Sequence, residues 1–322
     1  MVLSFVFLII GFVLLVKGAD VFVDGSSGIA RFLKIPSIVI GLTIVAFGTS
    51  APEAAVSIIA GVNGSNDIAV GNVIGSNMFN LLGVLGISAL ISPVRVDVEI
   101  VKKQFPFMLA ATAVLALASF DVFFGSAETN TISRGEAFIL LILMAIFLYS
   151  VVTFALSSRK EGGDIENKEK DEKPLKLWKC ILFTILGLAG IIVGGQFVVD
   201  CATRIATGFG MSETLVGLTI VAVGTSLPEL VTSIVAARKG ESDIAIGNVV
   251  GSNVFNILFV LAASAAITPM SINAQGLCDL LILMAVSVLS YIFCFTKKTI
   301  NRVEGGILVA MYAGYMAFAI IR

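Results

Sequence analysis

Two glutamates lie in segments that are otherwise almost free of charge. Glu53 ends the sequence GTSAPE and is the only charged residue in positions 36–60, and Glu229 ends the closely similar GTSLPE. A carboxylate at the centre of a bilayer costs about 2.5–3.5 kcal/mol on insertion scales, and two held together also repel each other. Protons or a cation must therefore compensate them, and one divalent cation would neutralise both.

A proline precedes each glutamate and is expected to interrupt its helix. Pro52 has no N–H for the carbonyl of Gly48, so the helix should loosen from Gly48 to Ser50, and the same argument applies ahead of Pro228. Thr49 and Ser50 precede the glutamate by one helical turn, which puts their hydroxyls on its face of the helix. Each segment is expected to offer a carboxylate, hydroxyls and freed carbonyl oxygens in one cluster, and such oxygens are the ligands that hard cations prefer.

A second motif, GNVxGSNxFN, occurs at 71–80 and 247–256. Its glycines recur every four residues, the spacing that lets membrane helices approach closely. Its serine and last asparagine share one helical face, so we interpret them as ligands or as supports of ligands. A single proline kink or a small polar residue in a membrane helix is usually structural, but the duplication of both motifs favours a functional site. These candidates are Ser76, Asn80, Ser252 and Asn256.

The elements that carry these motifs are predicted to cross a membrane. The chain has 322 residues, of which 57% are hydrophobic and 13% charged, and its mean hydropathy is +1.03. The first apolar segment has no basic residue before it and no small-residue cleavage site, so we retain it as a span. Ten apolar segments are long enough to span. They lie near 2–24, 36–60, 67–91, 104–125, 134–156, 177–202, 212–237, 243–267, 276–296 and 304–321.

Composition excludes several functions. Histidine is absent, which removes Ser-His and HExxH catalysis and imidazole ligation, and we do not expect an enzyme or a bound cofactor. The four cysteines match no zinc or disulfide spacing and are interpreted as buried thiols. No basic-aromatic pattern indicates nucleic acid, and nothing indicates an obligate protein partner. The expected contacts are ions and lipid.

The chain is an internal duplication. Both motif pairs lie 176 residues apart, and the same offset relates Pro93 to Pro269. We predict an all-α polytopic protein with one half at 1–156, a charged linker at 157–176 and a second half at 177–322. Because each half has five spans, the second must enter the membrane from the opposite face, which makes an inverted repeat typical of secondary transporters.

Orientation is predicted from the basic residues. Of the 21 Lys and Arg residues, seventeen fall on the side of the linker, which is therefore predicted to be cytoplasmic, with both termini outside. Five further aspartates are predicted to have roles outside the cluster. Asp67 and Asp243 are predicted to cap helices, and Asp20, Asp24 and Asp200 are interpreted as interfacial or gating residues near the ends of the first and sixth spans.

The paired motifs resemble the two α-repeats of the sodium/calcium exchanger family, within the cation/calcium antiporter superfamily. The resemblance covers essentially the whole chain and matches short-loop prokaryotic members, because the linker has no room for Ca²⁺-sensing domains. It implies that Glu53 and Glu229 bind Ca²⁺ together with the carbonyls of Thr49 and Thr225. It also implies sodium ligands at Ala46, Ser50, Ser76, Ala222, Ser226 and Ser252, and at the hydroxyls of both threonines.

The function expected from this resemblance is antiport of Na⁺ and Ca²⁺ across the cell membrane, electrogenic with about three Na⁺ per Ca²⁺. Proton-coupled relatives carry a GNxAE-type motif in place of GTSAPE, and potassium-dependent relatives carry Asp at the position of Asn256, so Na⁺ coupling without K⁺ is favoured. Some microbial relatives have one Asp where this chain has Asn80 and Asn256. The alternatives are H⁺/Ca²⁺ exchange, a cation channel, against which the inverted duplication argues, and a membrane scaffold, which would not explain two costly carboxylates in register.

Overall fold

The computed structural model describes residues 2–123, 125, 129–160, 176–209 and 222–321. Within these ranges eight continuous helices are long and apolar enough to cross a membrane, and one further span is broken into two helices that meet at 51°. The helices are α1 (Val2–Leu33), the broken pair α2 (Ser37–Thr49) and α3 (Ala51–Val62), α4 (Asn66–Ile91), α5 (Ile100–Ala118), α6 (Arg134–Lys160), α7 (Leu177–Gly208), α8 (Ala222–Thr225), α9 (Leu227–Arg238), α10 (Ser242–Ile267), α11 (Ala274–Lys297) and α12 (Arg302–Ile321).

These helices account for nine of the ten predicted spans, and the described end of the remaining one, predicted at 212–237, consists of α8 and α9. Its first part, 210–221, lies outside the described residues. Several predicted limits were wrong. The first and sixth spans continue to Leu33 and Gly208, past the aspartates that suggested an end. Residues 157–160, assigned to the linker, extend α6, and 161–175 lie outside the described ranges.

Four two-residue strands connect the halves, which the all-α prediction did not include. They are β1 (Val94–Arg95), β2 (Thr131–Ile132), β3 (Met270–Ser271) and β4 (Thr299–Ile300). β1 follows the third span and pairs with β4, which follows the ninth; β3 follows the eighth and pairs with β2, which follows the fourth. Each sheet joins the third connection of one half to the fourth of the other. These connections can share a side of the membrane only if the halves are inverted, so the fold is two inverted five-helix repeats.

Helices α1 and α7 form a close antiparallel pair through glycines. A Cβ atom added to Gly187 would lie 2.5 Å from the Phe22 nitrogen, and one added to Gly18 would lie 2.7 Å from the Ile191 nitrogen. These contacts are to backbone, which cannot move aside as a flexible side chain can. The pair also covers the breaks in the spans that carry the glutamates, since Gly48 lies against Phe22 of α1 and Leu188 of α7.

A lysine fastens α1 to the end of α9. The ammonium of Lys239 lies 2.8 Å from Asp20 and 2.7 Å from Asp24, and it donates to the Asp20 carbonyl at 2.9 Å. Asp20 and Asp24 thus lie inside α1. The prediction that they lie near the end of the first span was wrong. The corresponding residues of the other repeat form no such ion pair. Asn63 corresponds to Lys239, and Asp200, which corresponds to Asp24, accepts a hydrogen bond from Gln196 on its own helix.

Each of the two aspartates predicted to cap a helix lies two residues after the N-cap position. The N-cap positions of α4 and α10 are Ser65 and Glu241, and neither side chain caps its helix. Asp67 and Asp243 lie in the first turns instead, where a carboxylate interacts favourably with the positive end of the helix dipole. Asp67 also accepts a hydrogen bond from Asn273, at 3.0 Å.

The glycine contact predicts a strong effect of one methyl group. Gly187→Ala should lower the melting temperature in detergent, because overpacking a tight interface costs about 1–3 kcal/mol. Gly314→Ala is the matched control, since a Cβ there meets no described atom within 4 Å. Equal melting temperatures for the two variants would contradict the close packing of α1 and α7.

The lysine contact predicts a local effect. Lys239→Asn, which introduces the residue of the repeat counterpart, should accelerate amide hydrogen exchange in α1 and α9 by about fivefold, because partly exposed ion pairs contribute about 1 kcal/mol or less. Arg238→Asn removes the same charge from an exposed neighbour that forms no ion pair among the described residues. Unchanged exchange in the Lys239 variant would show that the ion pair does not hold the two helices together.

Candidate ion-binding site

Each glutamate lies in the first turn of a helix that begins directly after a break. Ser50 separates α2 from α3 with φ −83° and ψ 7°, and Ser226 separates α8 from α9 with φ −94° and ψ 10°. Ser50 donates its N–H to the Ala46 carbonyl at 3.0 Å, so the predicted loosening is confined to the residues around the serine. Glu53 and Glu229 lie in first turns, where the helix dipole favours negative charge.

The two repeats exchange hydrogen bonds at these carboxylates. The Ser226 hydroxyl donates to Glu53 Oε1 at 2.8 Å, and the Ser50 hydroxyl donates to Glu229 Oε1 at 2.7 Å. Helical periodicity predicted only that the Ser50 hydroxyl lies on the same helical face as Glu53. In the structure the helix breaks at Ser50, and its hydroxyl donates to the glutamate of the other repeat. All four side chains are fully buried.

The remaining hydroxyls join the same cluster. Ser76 Oγ lies 3.2 Å from Ser226 Oγ, and Ser252 donates to the Ala46 carbonyl at 3.4 Å. The Thr49 hydroxyl is 3.0 Å from both the Val45 carbonyl and Asn248 Oδ1. The second and third spans of one half thus meet the corresponding spans of the other half at the carboxylates.

Two predicted residues are less closely defined. Thr225 ends α8 and immediately precedes the break at Ser226, and Ala222 begins α8. Their backbone positions correspond to those of Thr49 and Ala46 in the first repeat. The side chain of Ala222 lies outside the described residues.

The predicted asparagines open irregular helical turns. Asn80 begins a π-helical turn over Asn80–Val84, and Asn256 begins one over Asn256–Leu261. Such turns add a residue to the helix and occur frequently at functional sites. The turn at Asn80 packs against α9, which carries Glu229, and the turn at Asn256 packs against α3, which carries Glu53. Each asparagine therefore begins a turn that packs against the helix carrying the glutamate of the opposite repeat.

Four oxygens of this cluster are buried without a hydrogen-bond partner. They are Oε2 of Glu53 and of Glu229, and Oδ1 of Asn80 and of Asn256. A buried acceptor left unpaired costs about 1–3 kcal/mol, and more when it is charged. Within the described ranges there is no group of three or more Asp, Glu or Cys residues suited to a metal. A cation here would depend on two carboxylates and neutral oxygens, a donor set suited to Ca²⁺ or another hard cation.

Sequence reasoning missed the residues that support this cluster. Asn72 donates to Ser57 Oγ at 2.8 Å and to the Glu53 carbonyl at 3.3 Å. In the second half Asn248 makes the same two bonds, to Ser233 at 3.0 Å and to the Glu229 carbonyl at 3.3 Å. Each asparagine therefore ties the helix after the break to the next span. The sequence could have indicated these asparagines, because both occur at the same position of the duplicated motif GNVxGSNxFN.

The chain matches a known protein family over both halves. The family model described as "Sodium/calcium exchanger protein" matches residues 3–153 and 179–321. A relative from Alkalimonas amylolytica, described as putative antiporter CaxA, is 38% identical over 98% of each chain. The sodium/calcium exchanger MaX1 of Methanosarcina acetivorans is 33% identical over 97% of each chain.

The fold is also that of a solved structure. The sodium-calcium exchanger NCX_Mj, soaked with 2.5 mM Na⁺ and 0.1 mM Ca²⁺, superimposes with a TM-score of 0.82 and is 33% identical. The match covers 100% of this chain and 99% of that one. At this coverage the likeness includes both repeats and their arrangement.

The exchanged hydrogen bonds predict which residues are energetically coupled. In double-mutant cycles on the free energy of unfolding, Ser50→Ala should couple to Glu229→Ala by about 1 kcal/mol or more, because hydrogen bonds to charged groups contribute about 1.5–3 kcal/mol. Ser226→Ala should couple to Glu53→Ala in the same way. The within-repeat cycles, Ser50 with Glu53 and Ser226 with Glu229, are matched controls. Larger coupling within a repeat than between repeats would contradict the geometry.

Proposed function

This chain belongs to the sodium/calcium exchanger family, and from that premise we propose that it is an electrogenic antiporter that exchanges Na⁺ for Ca²⁺ by alternating access. It is a multi-pass membrane transporter that moves Ca²⁺ against another cation, and it is not an enzyme. The coupling to Na⁺, a ratio of about three Na⁺ per Ca²⁺ and independence from K⁺ are the finer parts of the proposal.

The observation that carries the proposal is the pair of buried carboxylates with one unpaired oxygen each. Glu53 and Glu229 come from opposite repeats and share one cluster through Ser226 and Ser50. The site can be neutralised by one Ca²⁺ or by Na⁺ ions, but the same oxygens cannot serve both loads at once. Competition for one site couples the two ions, provided that the loaded site opens to only one side at a time.

The ligand set follows the motif positions of the family. We assign Ca²⁺ to the carboxylates of Glu53 and Glu229 and the carbonyls of Thr49 and Thr225. Sodium would use the oxygens of Ser50, Ser76, Ala46 and their counterparts Ser226, Ser252 and Ala222, and the hydroxyls of Thr49 and Thr225. Asn80 and Asn256 would contribute neutral oxygens. Burial of the described side chains other than that of Thr225, together with the four unpaired oxygens, supports this assignment.

The charge of the site bears on the electrical behaviour. With Asn at both 80 and 256, the proposed ligands carry two negative charges when the glutamates are ionised. One Ca²⁺ would make the loaded site neutral, whereas three Na⁺ would leave one positive charge. Exchange at this ratio would move one net charge per cycle. The absence of Asp at 256 supports independence from K⁺.

We propose that the halves 1–156 and 177–322 are the two repeats and that both termini lie outside. The segment 157–176, whose first four residues continue α6, is the proposed cytoplasmic linker. The bias of basic residues toward the linker side supports this orientation. The two short sheets support the same arrangement of sides, because each joins connections that the orientation assigns to one side of the membrane.

The proposal predicts Na⁺-driven Ca²⁺ uptake. Purified protein in vesicles loaded with Na⁺ should accumulate radiolabelled Ca²⁺ after dilution into Na⁺-free choline buffer, at the same rate when K⁺ replaces choline. With equal K⁺ on both sides, valinomycin should accelerate uptake, because it removes the opposing potential that electrogenic exchange builds. Glu53→Gln and Glu229→Gln should each abolish uptake, and Glu136→Gln, outside the site, should not.

A different result would contradict each part of the proposal. Uptake that ignores the Na⁺ gradient and follows a pH gradient would indicate H⁺/Ca²⁺ exchange. Ca²⁺ flux without any counter-ion would indicate a channel. An unchanged rate with valinomycin would indicate electroneutral exchange, and retained uptake in both glutamine variants would remove the two glutamates from the site.

A further inference from the structure

Two asparagines outside the proposed ligand set bind the amide groups of two inside it. Asn80 donates its Nδ2 to Asn253 Oδ1 at 3.2 Å, and Asn256 donates its Nδ2 to Asn77 Oδ1 at 3.1 Å. The two bonds are related by the repeat offset, and each crosses from one half to the other. All four side chains are at most 1% exposed.

The chemistry of an amide makes these bonds decisive for a cation site. An asparagine carries an acceptor oxygen at one end and two N–H donors at the other, so either end can point toward a neighbour. A cation is attracted by the oxygen and repelled by the donors. The partner of the NH₂ group therefore determines whether the side chain serves or opposes cation binding.

In this structure the NH₂ groups of Asn80 and Asn256 are both directed at the other repeat. Their Oδ1 atoms are consequently left buried without a protein partner, like Oε2 of the two glutamates. The turns that begin with these asparagines pack against the helices that carry the glutamates. Each unpaired amide oxygen thus belongs to a turn that packs against the helix of an unpaired carboxylate oxygen.

The two supporting asparagines are themselves fixed. Asn77 donates its Nδ2 to the Asn253 carbonyl at 3.3 Å, and the Nδ2 of Asn253 lies 3.6 Å from Met108 Sδ. With their donors so directed, both present Oδ1 as an acceptor. Neither was a candidate ligand, although both are duplicated within GNVxGSNxFN.

We propose that Asn77 and Asn253 are positioning residues that hold the amides of Asn256 and Asn80 with their oxygens toward the transported cation. The inference rests on the proposed function, because it presumes a cation among these oxygens. It assigns Asn77 and Asn253 no direct contact with the ion. The bond between the repeats also makes the site of each half depend on the other.

Removing the acceptor should weaken ion binding without stopping the transport cycle. Asn253→Leu and Asn77→Leu should raise the apparent KM for Ca²⁺ about tenfold while kcat changes little, since loss of an outer partner of a metal ligand typically costs 10–100-fold in affinity. The thermal shift produced by CaCl₂ in detergent should move to correspondingly higher concentration. If the leucine variants do not fold, Asn253→Ala and Asn77→Ala remove the acceptor without added bulk. Asn63→Ala, at an exposed asparagine, is the matched control.

A second background separates positioning from simple structural support. In Asn80→Asp the side chain accepts hydrogen bonds at both ends, so its orientation no longer matters, and Asn253→Leu should then raise the apparent KM for Ca²⁺ by less than about twofold. An unchanged KM in the single variants, or an equal rise in both backgrounds, would overturn the proposal. Failure of the proposed function would appear differently, as wild-type vesicles without Na⁺-dependent Ca²⁺ uptake.

Discussion

The constraint on which this structure depends is the burial of two carboxylates in one place within a membrane protein. An ionised carboxylate in a region of low dielectric requires hydrogen bonds, a favourable dipole or a counter-charge, and two of them require more. The fold supplies the first two. Each glutamate lies in the first turn of a helix, each accepts a hydrogen bond from a serine hydroxyl, and each keeps one oxygen without a protein partner. The counter-charge is what the proposed cation would supply.

Meeting this constraint requires both halves of the chain. The serine that serves each glutamate comes from the other repeat, and so does the asparagine that orients each proposed amide ligand. Neither half therefore satisfies its own carboxylate. Inversion of the second half is what allows this exchange, because it brings equivalent spans together from opposite sides. The glycine contacts between α1 and α7 serve the same end, since they let two helices cover both breaks closely.

The repeats are nevertheless not identical in their surroundings. α9 is more deeply covered than α3: Thr232 is fully buried, whereas Val56, at the matching position, is 38% exposed. The ion pairs of Lys239 with Asp20 and Asp24 lie on the covered side and have no counterpart at position 63. One internal sequence difference thus accompanies tighter packing on one side of the site.

The number of spans, their inversion and the meeting of two buried glutamates could be predicted, because each follows from a pattern within the sequence. The length of the apolar segments predicts the spans, and an odd number of spans per half requires inversion. An isolated intramembrane charge indicates a functional site. Helix limits were less predictable. Asp20 and Asp24 suggested an end of α1, but Lys239 stabilises them within it, and that lysine is distant in the sequence.

The sequence indicated the two carboxylates, the hydroxyls and Asn80 and Asn256 of the cluster, since their motifs repeat in register and supply oxygen ligands. The hydrogen-bond partners of these groups depend on the tertiary structure. Helical periodicity placed Ser50 on the helical face of Glu53, but the span bends after α2 and the Ser50 hydroxyl donates to Glu229. The π-helical turns at Asn80 and Asn256, and the amide bonds to Asn253 and Asn77, likewise depend on contacts between the halves. Local sequence specifies the groups and the places where a helix can break, whereas the packing of distant helices fixes the direction in which each group points.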